Sequence, residues 1–550
     1  MPQSLVWNSP SRDSSGSMPL GNGEIGLNVW VEEDGDLLFY VSKTDAWDEH
    51  ARLLKLGRIR VSLSPNPFVA GVPFRQELDL ANGCIRITGD VFRNRSSVIG
   101  CENARSTDIE HEAPNTVFRT PITLLLWVDA HRPVVRVEVL SDEPVEARIG
   151  LALWRTEERM REGAEMHCSA GQRSDAEREI VYPDTVLEAP LPNALLWCHR
   201  NETSCWEATL AHQDMGDFIP QGQDPLLHRT FGALLQGDGL VRRDARTLST
   251  TAPCRQFALA LHVLTGQTPT VEAWQVAVLA QAAEARAVAP DAAFAAHCDW
   301  WQAFWQRSWI TVWGTPEAET VSQAYALQRF VSACAGRGAY PIKFNGSLFT
   351  VEAREDKECY DPDYRRWGGG YWFQNTRLAY WPMIMAGDFD CMEPWFRMYL
   401  DALPLALARG KLCFGLDDAA MFPETMTFWG TFLNGNYGFA REGVSPGISE
   451  NRYIRRYWQG VLELLAVLLD AYAVTEDEGL LTDKLLVLAP PFLRFYRDYF
   501  TVRDDEGKLL LKPSQSLETW QEAVNPLPDI AGLQWVLDGL LALPASRVPE

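Results

Sequence analysis

Near residue 268 the hydrophobic pattern of this 550-residue chain changes its period, and that change bounds what it can fold into. Upstream, short apolar runs are separated by turn residues. Residues 25–31 alternate loosely, Glu33-Asp34-Gly35 turns, and Leu37-Leu38-Phe39-Tyr40-Val41 returns. Asn82-Gly83 punctuates a second pair of runs, 74–80 and 84–88, and 121–127, 134–140 and 145–154 continue to a last run at 256–264. Such runs predict strands joined by tight turns, and so many of them predict a large β-sandwich. Downstream, the Ala-rich segment 271–288 and the segment 292–309, with Trp300, Trp301, Phe304 and Trp305 at helical spacing, predict a helical linker. Helices follow near 319–336, 373–386, 390–408, 456–473, 478–500 and 530–543. Residues 457–472 are apolar nearly all round, which places that helix inside an assembly. The fold class is therefore multidomain β + α: a β-sandwich over 1–268, a helical linker over 269–312 and a helical domain over 313–550.

Composition narrows the partners. A net charge of -23 excludes a nucleic-acid or anionic-membrane partner, because phosphate binding needs a basic surface. No run of about 18 apolar residues is present to span a membrane. The start Met1-Pro2-Gln3-Ser4-Leu5-Val6-Trp7 lacks a basic and an apolar region, which reads as cytoplasmic; a leader missing from the sequence would make the protein periplasmic or secreted. Eleven cysteines without CxxC spacing read as reduced thiols, and nine histidines without HExxH give no transition-metal motif, so neither metal nor cofactor is expected.

The densest cluster of candidate ligand groups is the stretch from Arg366 to Pro382, with three glycines, six aromatics and two side-chain amides in seventeen residues. Glycines permit close approach of the chain to another surface. Trp367, Tyr371, Trp372 and Trp381 offer flat apolar faces with polar edges, suited to a sugar ring, and Gln374 and Asn375 can each donate and accept. Arg377 can hold a carboxylate in place. A buried aromatic helix start beside a glycine turn is the structural alternative for the whole stretch.

The layout, with four local motifs, resembles the glycoside hydrolases built from a β-sandwich (supersandwich) followed by an (α/α)6 six-hairpin barrel. Met18-Pro19-Leu20-Gly21-Asn22-Gly23-Glu24-Ile25-Gly26 is similar to the "PLGNGxxG" turn of the family 95 α-L-fucosidases, and Asp299-Trp300-Trp301 with Phe304-Trp305 to their linker helix. Asn375 before Tyr380-Trp381-Pro382 is similar to their "HTNIN…YWP" segment. Lys512-Pro513-Ser514-Gln515-Ser516-Leu517-Glu518 resembles "SPSxSPE", whose glutamate is the general acid. The chain departs from fucosidases at Phe373, where they carry an asparagine, and at Tyr371, where they carry histidine. Residues 7–10 and 47–68 look more like the group of proteins designated DUF5703. The helices after the linker supply roughly half of a complete barrel, so the resemblance implies a C-terminally truncated member whose usual base is missing.

The resemblance implies an inverting glycosidase without cofactor. Such enzymes pair a proton-donating carboxyl with a water-activating one, about 6.5–9.5 Å apart. Glu518 is the candidate acid, with Trp520 as the apolar neighbour that would keep its proton on; a helix start at 516–518 is the structural alternative. Asn375 would orient water or bond a sugar hydroxyl. Glu424, in the acidic and aromatic loop that leads to Trp429, is the best substitute base in the chain, or else a rim residue. Asn345, beside Lys343 and Phe344, is placed at the cleft. Asn22 and Glu24 could reach the cleft, although a tight turn explains them better. The acidic loop with Glu352, Asp356, Glu358, Asp361 and Asp363 lacks calcium-loop spacing and reads as solvated. The partner expected is an oligosaccharide or glycoside. Two rival readings remain: a non-catalytic carbohydrate-binding protein, and a disaccharide phosphorylase, which would need a basic, hydroxyl-lined anion pocket.

Overall fold

The computed structural model describes residues 4–69, 71–94, 117–171, 179–355, 357–544 and 547. It has an N-terminal antiparallel β region and a C-terminal helical region. Alternation builds the strands: along Leu53–Ser64 the side chains of Ile59, Val61 and Leu63 turn into the core while Arg58, Arg60 and Ser62 lie nearer solvent. Fifteen described strands form one connected sheet system.

One strand joins its two halves. The runs 134–140 and 145–154, read as separate strands in the sequence, form a single strand Val134–Ala152. Its first half pairs with Val117–Val128 and Cys254–Gln267; its second half pairs with Leu53–Ser64 and Thr247–Thr250. The change of partner falls at Ser141–Pro144, where the register against Cys254–Gln267 shifts and where Pro144 has no N–H to donate.

The helical region begins with Val271–Arg286 and Pro290–Arg307. Trp274, Val278 and Ala282 of the first pack on Leu196 and Leu234 of the sheet. Trp301 of the second stacks on Phe330, and Trp305 Nε1 donates to Leu80 O at 2.7 Å. Trp30, Trp47, Trp127, Trp197, Trp274, Trp301 and Trp395 are fully buried, so much of the tryptophan load is core.

The helices Pro316–Ala335, Phe373–Ala386, Gly460–Thr475 and Leu527–Leu541 lie close to their expected places. Glu393–Phe414 runs six residues past its expected end, to Gly415, which adopts φ 69°, the left-handed stop that glycine tolerates. The expected helix at 478–500 is interrupted by a π segment, Leu481–Leu485, before Leu486–Tyr499. Gly460–Thr475 is buried along most of its length, and Leu527–Leu541 packs on it through Gly532 and Gly539, where a Cβ would meet Leu462 and Leu469. Among the described residues no helix is long and apolar enough to cross a membrane.

Two sequence features become joints between the regions. Asn22 Oδ1 accepts from the amides of Glu24 and Ile25 at 3.0 and 2.8 Å, the tight-turn role. The amide of Gly23 then donates to Cys334 O at the end of Pro316–Ala335. The loop 352–363, expected to be solvated, is exposed at Glu358 but not at Asp363. Asp363 is buried and accepts from Arg155 Nη1 at 2.5 Å, Trp154 Nε1 at 2.7 Å and the Lys55 amide at 2.7 Å, while Glu352 takes the hydroxyls of Ser14 and Tyr40. Asp356 lies outside the described residues.

Candidate functional site

Three backbone devices bring Gln374, Glu424 and Glu518 together. The first is the glycine triplet. Gly368 and Gly369 cross the backbone of Cys168–Ala170 so closely that a Cβ on Gly369 would fall inside it. The second is a short antiparallel bridge that pairs Tyr371 with Met426 and Trp372 with Thr425. It sets Glu424 beside the first turn of Phe373–Ala386, and the amide of Phe373 donates to Glu424 O at 3.0 Å. The third is a hairpin, Ser514–Ser516 against Trp520–Ala523, with Glu518 at its tip. Gln515 and Ser514 anchor that hairpin: Gln515 Oε1 accepts from the Arg456 amide at 2.9 Å, and Ser514 Oγ donates to Asp529 at 2.5 Å.

Gln374 links the two carboxyls. Its backbone N–H donates to Glu424 Oε1 at 3.2 Å, and its side-chain Nε2 donates to Glu518 Oε1 at 2.7 Å. Glu424 is 3% exposed and its other oxygen accepts from Thr425 Oγ1. Burial pushes the Glu424 carboxyl up to about 7, and the charge of Glu518 adds to that rise against the hydrogen bonds from Thr425 and Gln374 and the pull of Arg377. Glu518 is exposed. The carboxyl taken out of water is therefore Glu424, not Glu518. Trp520, the expected apolar cover for Glu518, is 67% exposed, because it leaves the hairpin on the solvent side.

Arg377 sits one turn beyond Gln374 and donates to Gln374 O. Its Nε meets Glu463 Oε1 at 2.7 Å, and Trp381 Nε1 donates to the same oxygen at 2.6 Å. Glu463 is not among the sequence candidates, although it is one of only two carboxylates, with Asp470, in a helix apolar nearly all round, a usable signal. Gln459, one turn before Glu463, is buried, and neither atom of its amide has a hydrogen-bond partner among the described residues. Tyr457 is also buried here, and burial raises its hydroxyl pKa, with the charge of Glu424 adding to the rise.

Other sequence candidates fall elsewhere. Tyr371 is 2% exposed, donates to Pro341 O at 3.2 Å and carries Lys343 Nζ 4.2 Å from its ring centre, so it is a core residue. Trp429 is buried against Phe428. Asn345 Nδ2 donates to Arg366 O at 2.6 Å, which ties it to its own loop, while its buried Oδ1 has no hydrogen-bond partner among the described residues. Trp367 is half-exposed and Trp372 half-buried, with ring centres 6.2 Å apart. Asn375 does not join the carboxyls: one residue on from Gln374 it turns to a different face and lines a separate cleft of about 700 Å³.

A family model described as "Domain of unknown function (DUF5703)" matches residues 6–99 and 104–310, more than half of the chain. No curated protein matches the sequence. A solved structure described as "Putative kojibiose phosphorylase from human microbiome" aligns with 99% of this chain and 66% of its own, at 12% identity and a TM-score of 0.55. That likeness is one of fold. A bacterial glucoamylase complexed with acarbose aligns with 90% of this chain and 62% of its own at 10% identity, but its TM-score of 0.35 carries no argument. The chain spans less than two thirds of the length of either structure.

Proposed function

This chain belongs to the DUF5703 family, and we propose that it is a carbohydrate-active enzyme that cleaves a glycosidic bond with Glu518 and Glu424 as its paired carboxyls. The observation that carries the reading is Gln374, which holds one carboxyl by its backbone and the other by its side chain. Glu518 stands at an exposed hairpin tip, where a substrate can reach it. A sugar seated there would bring its glycosidic oxygen to that carboxyl, the proton donor of the pair. Glu424, pushed up to about 7, suits the complementary task. A base works best when its pKa lies near the working pH, and it needs contact only with a water molecule. Arg377 and Glu463 position Gln374 through its carbonyl, and the edge of Trp381 completes that support. The likeness in fold to a kojibiose phosphorylase is compatible with sugar chemistry of this kind and leaves the sugar open.

Release of nitrophenol from a panel of aryl glycosides tests the proposal. Glu518→Gln and Glu424→Gln should each lower turnover by about 10²–10⁴-fold while circular dichroism stays that of the wild type. Unchanged turnover in either variant removes that residue from the chemistry. Anomeric analysis of the released sugar by NMR should give the inverted product. Turnover that requires inorganic phosphate would make the protein a phosphorylase, and saturable sugar binding without turnover would make it a binding protein.

A further inference from the structure

The helix Phe373–Ala386 borders two hollows. Gln374, Arg377 and Trp381 share the face toward the carboxyls, whereas Asn375, Leu378 and Ala379 line the cleft of about 700 Å³. That volume is typical of small-molecule sites. The opposite walls come from both regions: Ser15 and Ser17 from the start of the chain, and Gln328 and Ser332 from Pro316–Ala335.

The floor of the cleft is polar and held in place. Asn28, Lys343 and Ser347 are each less than a tenth exposed. Asn28 Nδ2 donates to Ser17 Oγ at 3.2 Å and Phe349 O at 3.1 Å, and its Oδ1 accepts from the buried Lys55 Nζ at 2.9 Å. The Ser347 hydroxyl is buried and has no hydrogen-bond partner among the described residues, a state that is costly unless a water meets it. Phe344 and Phe349 add aromatic surface.

The lining also decides what kind of ligand fits. Among the described lining residues Lys343 alone is ionisable. Its ammonium is turned inward, donating to Gly370 O and lying against the Tyr371 ring. An anion would meet no free cation here. Hydroxyls, amides and aromatic rings without charge are the complement of a neutral, hydroxyl-rich ring.

We infer that this cleft between the β and helical regions is a second saccharide site, which holds a neutral sugar against Phe344 or Phe349 with Asn375 and Ser332 at its hydroxyls. The site is independent of the glycosidic chemistry, because binding here uses neither Glu424 nor Glu518.

Saturation-transfer NMR on the full chain with free glucose, galactose, xylose and L-fucose tests it, with inorganic phosphate as a competing probe. At least one sugar should bind the wild type and Glu424→Gln alike. Asn375→Leu removes an amide at the rim and Ser332→Phe fills the cleft; each should weaken binding about tenfold or more, the loss of one good polar contact. If Ser332→Phe does not fold, Asn375→Leu alone decides. The inference is overturned if none of the four sugars binds, if binding survives in the cleft variants, or if phosphate displaces the sugar. Loss of binding in Glu424→Gln with retention in Asn375→Leu would assign the sugar to the carboxyl face instead.

Discussion

Asp363 and Glu424 are both buried carboxyls in loops of the helical region, and they are treated in opposite ways. Asp363 receives a guanidinium, an indole N–H and a backbone amide, and its arginine also meets Asp184 at 2.9 Å. Glu424 receives one hydroxyl and one amide, with no cation in contact among the described residues. The first arrangement pairs a buried carboxyl with a guanidinium and joins two regions. The second leaves the interior hostile to charge and moves the proton equilibrium to about 7. Burial alone therefore does not mark a functional acid. What sets Glu424 apart is burial with neutral donors only, beside a second carboxyl, the setting in which perturbed groups of functional sites are found.

The comparison breaks most visibly at Arg155. Arg155→Met leaves the buried Asp363 without its cation and Asp184 with His199 alone, and should cost about 3–5 kcal/mol in urea unfolding; a loss near zero would make that cluster dispensable. Next is the pH dependence of Glu424. Its folded pKa is raised above the ordinary 4.5, so its stabilising contribution is full below about pH 4.5 and is lost as pH rises through about 7. Across that window the wild type should lose on the order of 3 kcal/mol relative to Glu424→Gln, read as a difference in midpoint between pH 4.5 and pH 8. Parallel curves for the two proteins would place Glu424 in a wetter site. Gly369→Ala pushes a methyl into the backbone of Ser169–Ala170 and should cost about 1–3 kcal/mol, with weaker sugar turnover because the bridge to Thr425 shifts. Smallest is Glu463→Gln. It breaks a partly exposed pair with Arg377, so about 1 kcal/mol or less of stability is at stake, and the change should appear in turnover rather than in the melting midpoint.

Much of the fold was legible because it rests on local rules. The change of period, the Gly21-Asn22-Gly23 turn and the bounds of Phe373–Ala386 follow from alternation, turn chemistry and helical spacing. Glu518 and Gln374 were legible as polar groups in aromatic, turn-rich settings, and they do meet. What escaped depends on contacts distant in sequence. Asp363 looked like one acid among several until Arg155 was brought to it across the interface. Asn375 and Gln374 are neighbours in sequence, yet a rotation of about 100° separates their surroundings. Tyr371 and Trp429 carry the right chemistry for a cleft but fall in the core, because the bridge at Thr425 and the ring of Phe428 cover them.

The long strand Val134–Ala152 has a consequence for how the β region comes apart. Since its two ends belong to different groups of strands, disorder in one group frays a strand on which the other also depends. The β region should therefore denature in one cooperative step. Many of its pairings also join residues far apart along the chain, such as Arg58 with Ala152, so assembly must be slow and late.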